Sequence, residues 1–324
     1  MRRTLVPALI ALVLLAAACG GDDGALPESS DTTGQASDAK GDAAFPRTIE
    51  HAMGETEIPQ RPERVVVLDT GELDSSIALG VTPVGAVQAP VADGFLEYLS
   101  QQTTDTELVG AIDAVNLEAV AALRPDLILS SKPRHEDIYD ELSAIAPTVF
   151  TETVGVVWKD NLLVHAEALG LEDEAADLLA DYDHRTTELA ERLAADRGEL
   201  PTISMVRFLA DQTRLYQKAS FIGTILEDVG LPRPPSQDVD DFAATISAEQ
   251  LDMADADIIF TTHYGPAEDT TKAQLTTSPL WGLLSAVQQG DVYEVPDDHW
   301  MLGIGIGAAN LVLDDIEALL LDES

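Results

Sequence analysis

The 324-residue sequence has a single cysteine, few basic residues and few aromatic residues. Because Cys19 has no partner within the chain, no internal disulfide can form. Lys and Arg number 18 against 58 Asp and Glu, which gives a formal net charge of −40 at pH 7. Such a charge repels nucleic acid and anionic lipid headgroups, so we exclude nucleic acid as a partner. It also predicts that a strongly anionic ligand needs a local cluster of Arg, while most acidic residues simply keep the surface soluble.

The sequence also lacks the motifs of common enzyme and metal sites. No G-x-S-x-G motif occurs, so a hydrolase elbow is excluded. The segment "HEDIY" (135–139) has Tyr139 where a zinc-protease helix needs its second His, and the six His are scattered. The segment "GIGIGA" (303–308) fits a dinucleotide pattern, but it precedes a terminal helix with no following strand. We therefore expect no cofactor, no directly bound metal and no catalysis.

An anchored extracellular enzyme on a two-lobed α/β scaffold is the alternative from a different class. It would depend on acid–base side chains, and the candidates are Asp69, Glu72, His135 and His263. Turnover of a substrate would distinguish this alternative from a binding protein.

The first 18 residues, "MRRTLVPALIALVLLAAA", join a basic start to an apolar run and small residues. This pattern predicts a secretory signal peptide, which is too short for a comfortable membrane span. Cys19 follows directly, where lipoprotein processing would cleave and acylate the chain, so we predict a lipid anchor on Cys19 at the extracytoplasmic face of the cell membrane. Leu15 stands four residues before Cys19, whereas the usual lipobox has Leu three residues before the Cys. Secretion without a lipid anchor, with a free N-terminal Cys, is therefore the alternative.

The segment after the signal, residues 19–44, consists mainly of Gly, Ser, Thr, Asp and Ala. It has almost nothing to bury, which predicts a disordered tether. The folded body then runs from near Phe45 to the end. Its length of about 280 residues suggests one large domain or two of ordinary size.

Two segments of the folded part share one pattern of apolar and polar residues. "EAVAALRPDLILSS", which starts at Glu118, aligns without a gap on "EQLDMADADIIFTT", which starts at Glu249. Each copy predicts a short helix, a turn carrying Asp, and a strand whose continuous apolar run is typical of a parallel sheet covered on both faces. Two lobes of one architecture are the simplest interpretation.

Other segments extend both lobes. "RVVVLD" (64–69) and "TISMVRF" (202–208) are matching first strands, and the alternation of strands with helices predicts α/β lobes with mainly parallel sheets. Residues 159–197 have apolar side chains at helical spacing and no Pro, with Gly170 as the only weak point. They predict one long helix that joins the lobes as a rigid strut. The predicted boundaries are an N-terminal lobe at 45–158, the linking helix at 159–197, a C-terminal lobe at 198–302 and a C-terminal helix at 303–324.

Across residues 45–324 the chain resembles the substrate-binding lipoproteins of iron-siderophore ABC importers. The most specific parts are "NLEAVAALRPDLIL" (116–129) and "SAEQL" (247–251). The resemblance implies two Rossmann-like α/β lobes joined by one long rigid helix, the class III periplasmic-binding-protein or chelatase-like fold. It also implies a monomer that captures a ferric siderophore and passes it to an ABC permease. Haem, cobalamin or a bare metal ion are alternative ligands.

In this family a Glu on the upper face of each lobe meets basic residues of the permease, and the motif maps these residues onto Glu118 and Glu249. Two carboxylates on rigid elements suit a two-fold symmetric partner, because rim charges set orientation and association rate. The alternative is that each Glu only supports its helix N-terminus, next to Asn116 or Ser247 as the N-cap.

The ligand cleft is expected between the lobes, where "SSKPRHE" (130–136) and "TTHYGP" (261–266) face each other. A ferric siderophore exposes oxygens and an apolar periphery, which suit Arg and aromatic side chains. The candidates are Arg134, Arg207, Trp158, Tyr216, Tyr264 and Trp300, and for each the alternative is a surface salt bridge or core packing. Two Arg fall short of the roughly three charges of a ferric tris-catecholate, so we predict a hydroxamate or mixed-type siderophore.

Overall fold

The computed structural model describes residues 45–89 and 93–321. The predicted signal peptide at 1–18, Cys19 and the predicted tether at 19–44 therefore lie outside the described residues. Within the described ranges, no helix is both long enough and apolar enough to cross a membrane.

The N-terminal lobe is an α/β structure. Its elements, in chain order, are β1 Arg47–His51, β2 Gly54–Ile58, β3 Val65–Val67, α1 Thr70–Ala78, β4 Gly85–Gln88, a 3₁₀ turn at Glu97–Leu99, β5 Glu107–Ala111, β6 Ala114–Val115, α2 Leu117–Ala122, β7 Leu127–Ser131, α3 Lys132–His135, a 3₁₀ turn at Glu136–Ile138, α4 Tyr139–Ser143 and β8 Thr148–Thr151. Strands β3 to β8 form one sheet in the order β6-β5-β4-β3-β7-β8. All neighbours are parallel except β5 and β6. Strands β1 and β2 form a separate hairpin that the sequence analysis did not predict.

The C-terminal lobe has a mixed sheet. Its elements are β9 Ile203–Phe208, β10 Thr213–Tyr216, α7 Phe221–Asp228, β11 Ala243–Ile246, a 3₁₀ helix at Ala248–Ala254, β12 Ile258–His263, a 3₁₀ turn at Ala267–Asp269, α8 Lys272–Thr276, a 3₁₀ turn at Trp281–Leu283, α9 Ser285–Gln289, β13 Val292–Glu294 and a π-helical turn at Asp298–Leu302. The order is β11-β10-β9-β12-β13. Only β9, β12 and β13 are parallel. Strands β9 and β10 are joined by a tight turn, which can only pair them antiparallel. Two of the four strand pairs in this sheet are therefore antiparallel, whereas the sheet of the N-terminal lobe is mainly parallel, as predicted.

The repeated segment forms the same unit in both lobes. In each lobe a short helix leads into a strand, β7 or β12, that pairs in parallel with the lobe's first strand. Asp126 accepts hydrogen bonds from the backbone N–H groups of Glu63 and Arg64 at 2.9 and 2.8 Å. At the equivalent position, Asp257 accepts one from Thr202 at 2.8 Å. The Asp of each copy therefore holds the segment that enters the first strand, and the two-lobe interpretation is confirmed.

The linking segment consists of two helices, α5 Trp158–Leu169 and α6 Glu172–Arg197. The prediction of one helix over 159–197 is wrong at Gly170, which has a φ of 71° and ends α5. Glycine adopts this left-handed conformation at no steric cost, so it terminates helices readily. The 26-residue α6 is the single long helix of the linker.

One hydrophobic core joins the two lobes. It includes Val67 of the first sheet, Leu162 and Tyr182 of the linking helices, and Ile203 of the second sheet. The last helix, α10 Ile306–Leu320, contributes residues such as Ile316 to the same core. The lobes are therefore connected by tightly packed apolar side chains and not only by a flexible hinge. Such packing makes the walls of the cleft between them rigid.

The "GIGIGA" segment forms a contact between the lobes instead of a nucleotide site. Asp74, buried on α1, accepts hydrogen bonds from the backbone N–H groups of Gly307 and Ala308 at 2.8 and 2.9 Å, in the first turn of α10. It also accepts one from the Tyr98 hydroxyl at 2.7 Å. A Cβ on Gly305 would lie 2.2 Å from the Asp74 carboxylate. The glycines therefore let an N-terminal-lobe carboxylate cap the last helix, whose first N–H groups have no partner within the helix.

Asp74→Ala is expected to lower the free energy of unfolding by about 2–3 kcal/mol, because it leaves buried helix N–H groups and a tyrosine hydroxyl unpaired. Urea denaturation measures the loss. Asp314→Ala is the matched control on α10, the helix that Asp74 caps, since Asp314 is 57% exposed and paired with Arg185. Such surface pairs contribute about 1 kcal/mol at most. Equal losses in the two variants would contradict the capping role.

Candidate functional site

A cavity of about 530 Å³ lies between the lobes, at the carboxyl ends of the strands. Its N-terminal-lobe wall includes Thr70, the first residue of α1, and Arg134, shortly after β7. Its C-terminal-lobe wall includes Arg207 on β9 and Tyr264 directly after β12. Parallel strands end at one edge of a sheet, so the two repeats bring "SSKPRHE" and "TTHYGP" to one site.

Three arginines line this cavity. Arg134 and Arg207 were candidates from the sequence, and Arg214 was missed. Arg214 lies on β10, directly opposite Arg207 in the antiparallel register. It also lies two residues before Tyr216, so the two side chains share a face of the strand. Since alternate residues of a strand point to the same face, the candidate Tyr216 could have indicated Arg214 as a second residue facing the cavity.

Arg134 is held by a buried carboxylate at the start of α1. Its Nε donates to Asp69 Oδ2 at 2.8 Å, and Asp69 Oδ1 accepts from the backbone N–H of Thr70 at 2.7 Å. Burial opposes the charge on Arg134, but the Asp69 carboxylate outweighs it and raises the arginine's pKa above its usual value. The Arg134 side chain is 36% exposed, so Asp69 orients a cation that still faces the cavity.

Arg207 is held on three sides. Its Nε donates to Asp297 at 2.7 Å, its Nη2 donates to the other oxygen of the same carboxylate, and its Nη1 donates to the Tyr216 hydroxyl at 3.0 Å. Its guanidinium also lies 4.7 Å from the ring centroid of Tyr264. Burial disfavours its charge, yet the bonds from Asp297 raise the pKa of Arg207 above its usual value. This cation is fixed before any ligand arrives, which lowers the entropic cost of binding.

The Arg214 side chain makes no hydrogen bond or ion pair within the described ranges. The cavity wall therefore has three guanidinium groups, while the carboxylates bonded to them are Asp69 and Asp297. This local excess of positive charge lies in a chain of net charge −40. It makes the cavity suited to an anionic, oxygen-rich ligand.

Aromatic and apolar side chains complete the wall. Tyr216 and Tyr264 both line it, as the sequence suggested. Phe242 was missed; it is 50% exposed and packs edge-on against Tyr216, with ring centroids 5.2 Å apart. Met301 and Leu302 also line the cavity. These surfaces can cover the apolar periphery of a ligand whose oxygens meet the arginines.

The structure corrects one of the two tryptophan candidates. Trp158 begins α5 inside the core, 1% exposed, and donates to Thr224 Oγ1 at 3.0 Å. It packs against Tyr182 and does not line the cavity. Its role is therefore core packing and not ligand binding. Trp300 does line the cavity but is fully buried, and its indole N–H donates to Asp315 at 2.8 Å. It supports the wall from behind.

The acid–base candidates do not converge on the cavity. His135 is buried between the Ser130 hydroxyl and the Ile112 carbonyl, each at 2.7 Å, and His263 lies 3.1 Å from Glu294. Asp69 holds Arg134, and Glu72 is buried behind it. In the part of the chain that the structure describes, no group of three or more His, Cys, Asp or Glu could hold a metal ion.

Glu118 and Glu249 lie on the surface, each in the first turn of its short helix. The helix ends are satisfied by other side chains: Asn116 accepts from the backbone N–H of Ala119 at 3.1 Å, and Gln250 accepts from that of Ser247 at 3.1 Å. Among the described residues, the Glu249 carboxylate accepts only from the Ser247 hydroxyl, at 2.8 Å. Both carboxylates therefore remain exposed to a partner.

Comparison with known proteins gives consistent matches over the folded body. The model of the periplasmic binding protein family matches residues 65–299. The probable siderophore-binding lipoprotein YfiY of Bacillus subtilis is 41% identical over 287 residues, which are 85% of this chain and 88% of that protein. The Fe(3+)-citrate-binding protein YfmC of the same organism is 31% identical over 86% of this chain and 87% of its own length. The crystal structure of Staphylococcus aureus SirA complexed with staphyloferrin B has a TM-score of 0.77 and 36% identity, covering 85% of this chain and 98% of that one.

Proposed function

We propose, from the premise that this chain belongs to the periplasmic binding protein family, that it captures a ferric siderophore between its lobes and delivers it to an ABC importer. The observation that carries the proposal is the cavity lined by Arg134, Arg207 and Arg214 in a strongly acidic chain. Relatives that match most of the folded body carry names of siderophore- and iron-binding proteins. The family consists of binding proteins, so the non-catalytic interpretation is confirmed and the enzyme alternative is set aside.

The ligand type follows from the charge of the cavity. The sequence-based preference for a hydroxamate or mixed-type complex counted two arginines, and Arg214 adds a third. SirA was crystallised with staphyloferrin B, and YfmC is named for ferric citrate. We therefore favour the mixed type, an anionic ferric complex whose ligand includes carboxylate groups, over a neutral trihydroxamate. Charge-assisted bonds from guanidinium to carboxylate or iron-bound oxygen are among the strongest that a protein can offer.

Each arginine has a distinct part in this proposal. Arg207 is locked by Asp297 and Tyr216 and gives a fixed anchor. Arg134 contributes the N-terminal-lobe side of the contact, held by Asp69. The Arg214 side chain has no partner among the described residues, so its whole charge is available to the ligand. A ligand that bonds both walls at once would hold the two lobes together around it.

A titration of intrinsic Trp fluorescence tests this function. The folded protein is mixed with ferric citrate, a ferric trihydroxamate, a ferric tris-catecholate, haem and cobalamin, and with the iron-free chelators as controls. We expect saturable quenching at one site by an anionic ferric complex with carboxylate groups, and weaker binding of the trihydroxamate. Binding of haem or cobalamin alone would replace the siderophore in the proposal, and tighter binding of the trihydroxamate would restore the sequence-based preference.

Delivery is assigned to Glu118 and Glu249. They occupy equivalent positions in the two repeats, on exposed helix starts, and neither lines the ligand cavity. We propose that these carboxylates dock on basic residues of the two halves of a permease, with the protein acting as a monomer. Docking charges at the rim set orientation and association rate rather than ligand affinity.

The proposed location is the extracytoplasmic face of the cell membrane, with the chain attached through lipid on Cys19. The predicted signal and Cys19 lie outside the described residues, and YfiY is named as a lipoprotein. Cys19→Ser is expected to release the protein into the medium, because a lipid chain supplies the membrane affinity that this acidic body lacks. Detergent partitioning and cell fractionation measure the change. Full membrane retention of the variant would contradict the anchor.

A further inference from the structure

A second, much smaller cavity lies directly behind Arg134. Its volume is about 10 Å³, close to the smallest that can hold one water molecule. It lies between α1 and α5, and its polar lining residues are Asp69, Glu72, Ser75, Asn161 and His165. The remaining lining is Gly71, Val154 and Ile304. The cavity is therefore a polar site enclosed by apolar surroundings and by two helices of the shared core.

Glu72 and His165 face this cavity with unpaired polar atoms. Glu72 is 2% exposed and His165 is 1% exposed. Glu72 Oε1 and both imidazole nitrogens have no hydrogen-bond partner among the described residues. The gap between Glu72 Oε1 and His165 Nε2 is 3.9 Å, too long for a hydrogen bond. Buried polar atoms without partners are costly, so such a pair is stable only if charge is avoided or a small polar molecule bridges it.

Charge is avoided on both groups at neutral pH. Burial, and then the nearby Asp69 carboxylate, raise the pKa of Glu72 to about 8. Burial lowers the pKa of His165 to about 3. At pH 7 Glu72 is therefore largely a neutral acid that faces a neutral imidazole, and a single water between them can bond both Glu72 Oε1 and His165 Nε2.

Asp69 connects this cluster to the ligand cavity. One side of Asp69 lines the small cavity beside Glu72, and its Oδ2 accepts the hydrogen bond from Arg134. The titratable and charged groups that face Glu72 are Asp69, Arg134 and His165. The segment before α10 contributes only the apolar Ile304. A charge at Glu72 would therefore act mainly on the Asp69–Arg134 pair.

We propose that Glu72 is a proton-controlled positioning residue, whose neutral form keeps Arg134 available to an anionic ligand and whose ionised form weakens that site. Ionisation adds a second negative charge behind Arg134, next to Asp69, in surroundings of low polarity. Ligand capture is then coupled to one buried proton, strong while Glu72 holds it and weaker at the alkaline pH where the proton leaves. The inference rests on the proposed function, since it acts through the arginine that meets the ligand.

The first test uses the ligand-free protein. Infrared spectra are recorded between pH 5 and pH 10 for the wild type, for Glu72→Gln and for the matched control Glu191→Gln, which is exposed on the linking helix. We expect a buried protonated carboxyl band at neutral pH that disappears at alkaline pH, is absent from Glu72→Gln and is unchanged in the control. Absence of that band in the wild type overturns the proposal without reference to any ligand.

The second test measures the affinity for ferric citrate, or for the panel complex that binds best, at pH 6.5 and pH 9. Gln mimics the neutral acid, so the two proteins are expected to bind equally at pH 6.5. At pH 9 Glu72→Gln is expected to bind roughly three- to tenfold more tightly than the wild type, because it cannot ionise. A ratio that does not change with pH overturns the coupling even if the infrared band is present. Failure of every chelate to bind instead overturns the proposed function, and the coupling with it.

Discussion

Arg214→Gln is expected to weaken binding of the anionic ferric complex by about 1.5–3 kcal/mol, roughly 10- to 150-fold, while stability is unchanged. Arg214 lines the cavity and has no internal partner within the described residues. Its loss therefore removes a bond to the ligand without leaving a buried carboxylate unpaired. Arg207→Gln would be a poorer test, because it would strand Asp297 and mix destabilisation with lost affinity.

The matched control for this change is Arg192→Gln. Arg192 is 47% exposed on the linking helix and paired with Glu317. Its substitution changes the net charge by the same amount as Arg214→Gln, but at a position away from the cavity. Fluorescence titration gives the affinities and thermal unfolding gives the stabilities. Equal affinity in Arg214→Gln and Arg192→Gln would mean that only the overall field matters, and that Arg214 does not meet the ligand.

The double change Glu118→Ala with Glu249→Ala is expected to lower iron uptake by cells about tenfold or more, with ligand affinity in solution unchanged. Both carboxylates are exposed and outside the ligand cavity, so their removal should leave capture intact. The two single variants should show intermediate uptake, because each lobe would dock on one half of the permease.

Glu57→Ala with Glu191→Ala is the charge-matched control, since both residues are exposed and outside the repeated segments. Normal uptake is expected for this pair. Reduced chelate binding by the Glu118 and Glu249 variant would show that the docking role is misassigned. Equal loss of uptake in the control pair would show that general surface charge is responsible.

The fold followed from the sequence where a pattern repeats. The gapless alignment of Glu118 with Glu249 predicted two equivalent helix–strand units, and Asp126 and Asp257 hold the same place in both. The break in the linking helix was visible only as a weak point, because Gly170 is tolerated within a helix unless tertiary packing selects its left-handed conformation. The antiparallel β10 depends on a four-residue turn, which carries little sequence signal.

The position of the site was predictable from the sequence, but only some of its residues were. Strand ends located the cavity and two of its arginines: Arg134 follows the first repeat, and Arg207 lies on the first strand of the C-terminal lobe. Arg214 was missed because β10 has only four residues, and its alternation points to Arg214 only once Tyr216 is known to line the cavity. Trp158 was misread because an aromatic residue at a predicted boundary can serve the core as well as a ligand. Glu72 and His165 are distant in sequence, and only the packing of α1 on α5 brings them together.

The central claim is that the cavity between the lobes holds one ferric siderophore through its arginines. The most direct measurement is the retention of radioactive iron on gel filtration, after the protein is loaded with each ferric complex of the panel. We expect one iron per protein for an anionic complex with carboxylate groups in the wild type and in Arg192→Gln, and loss of most of that iron in Arg214→Gln, which leaves Asp69 and Asp297 paired. Retention of no ferric complex by the wild type, or equal retention by Arg214→Gln and the wild type, would contradict the account.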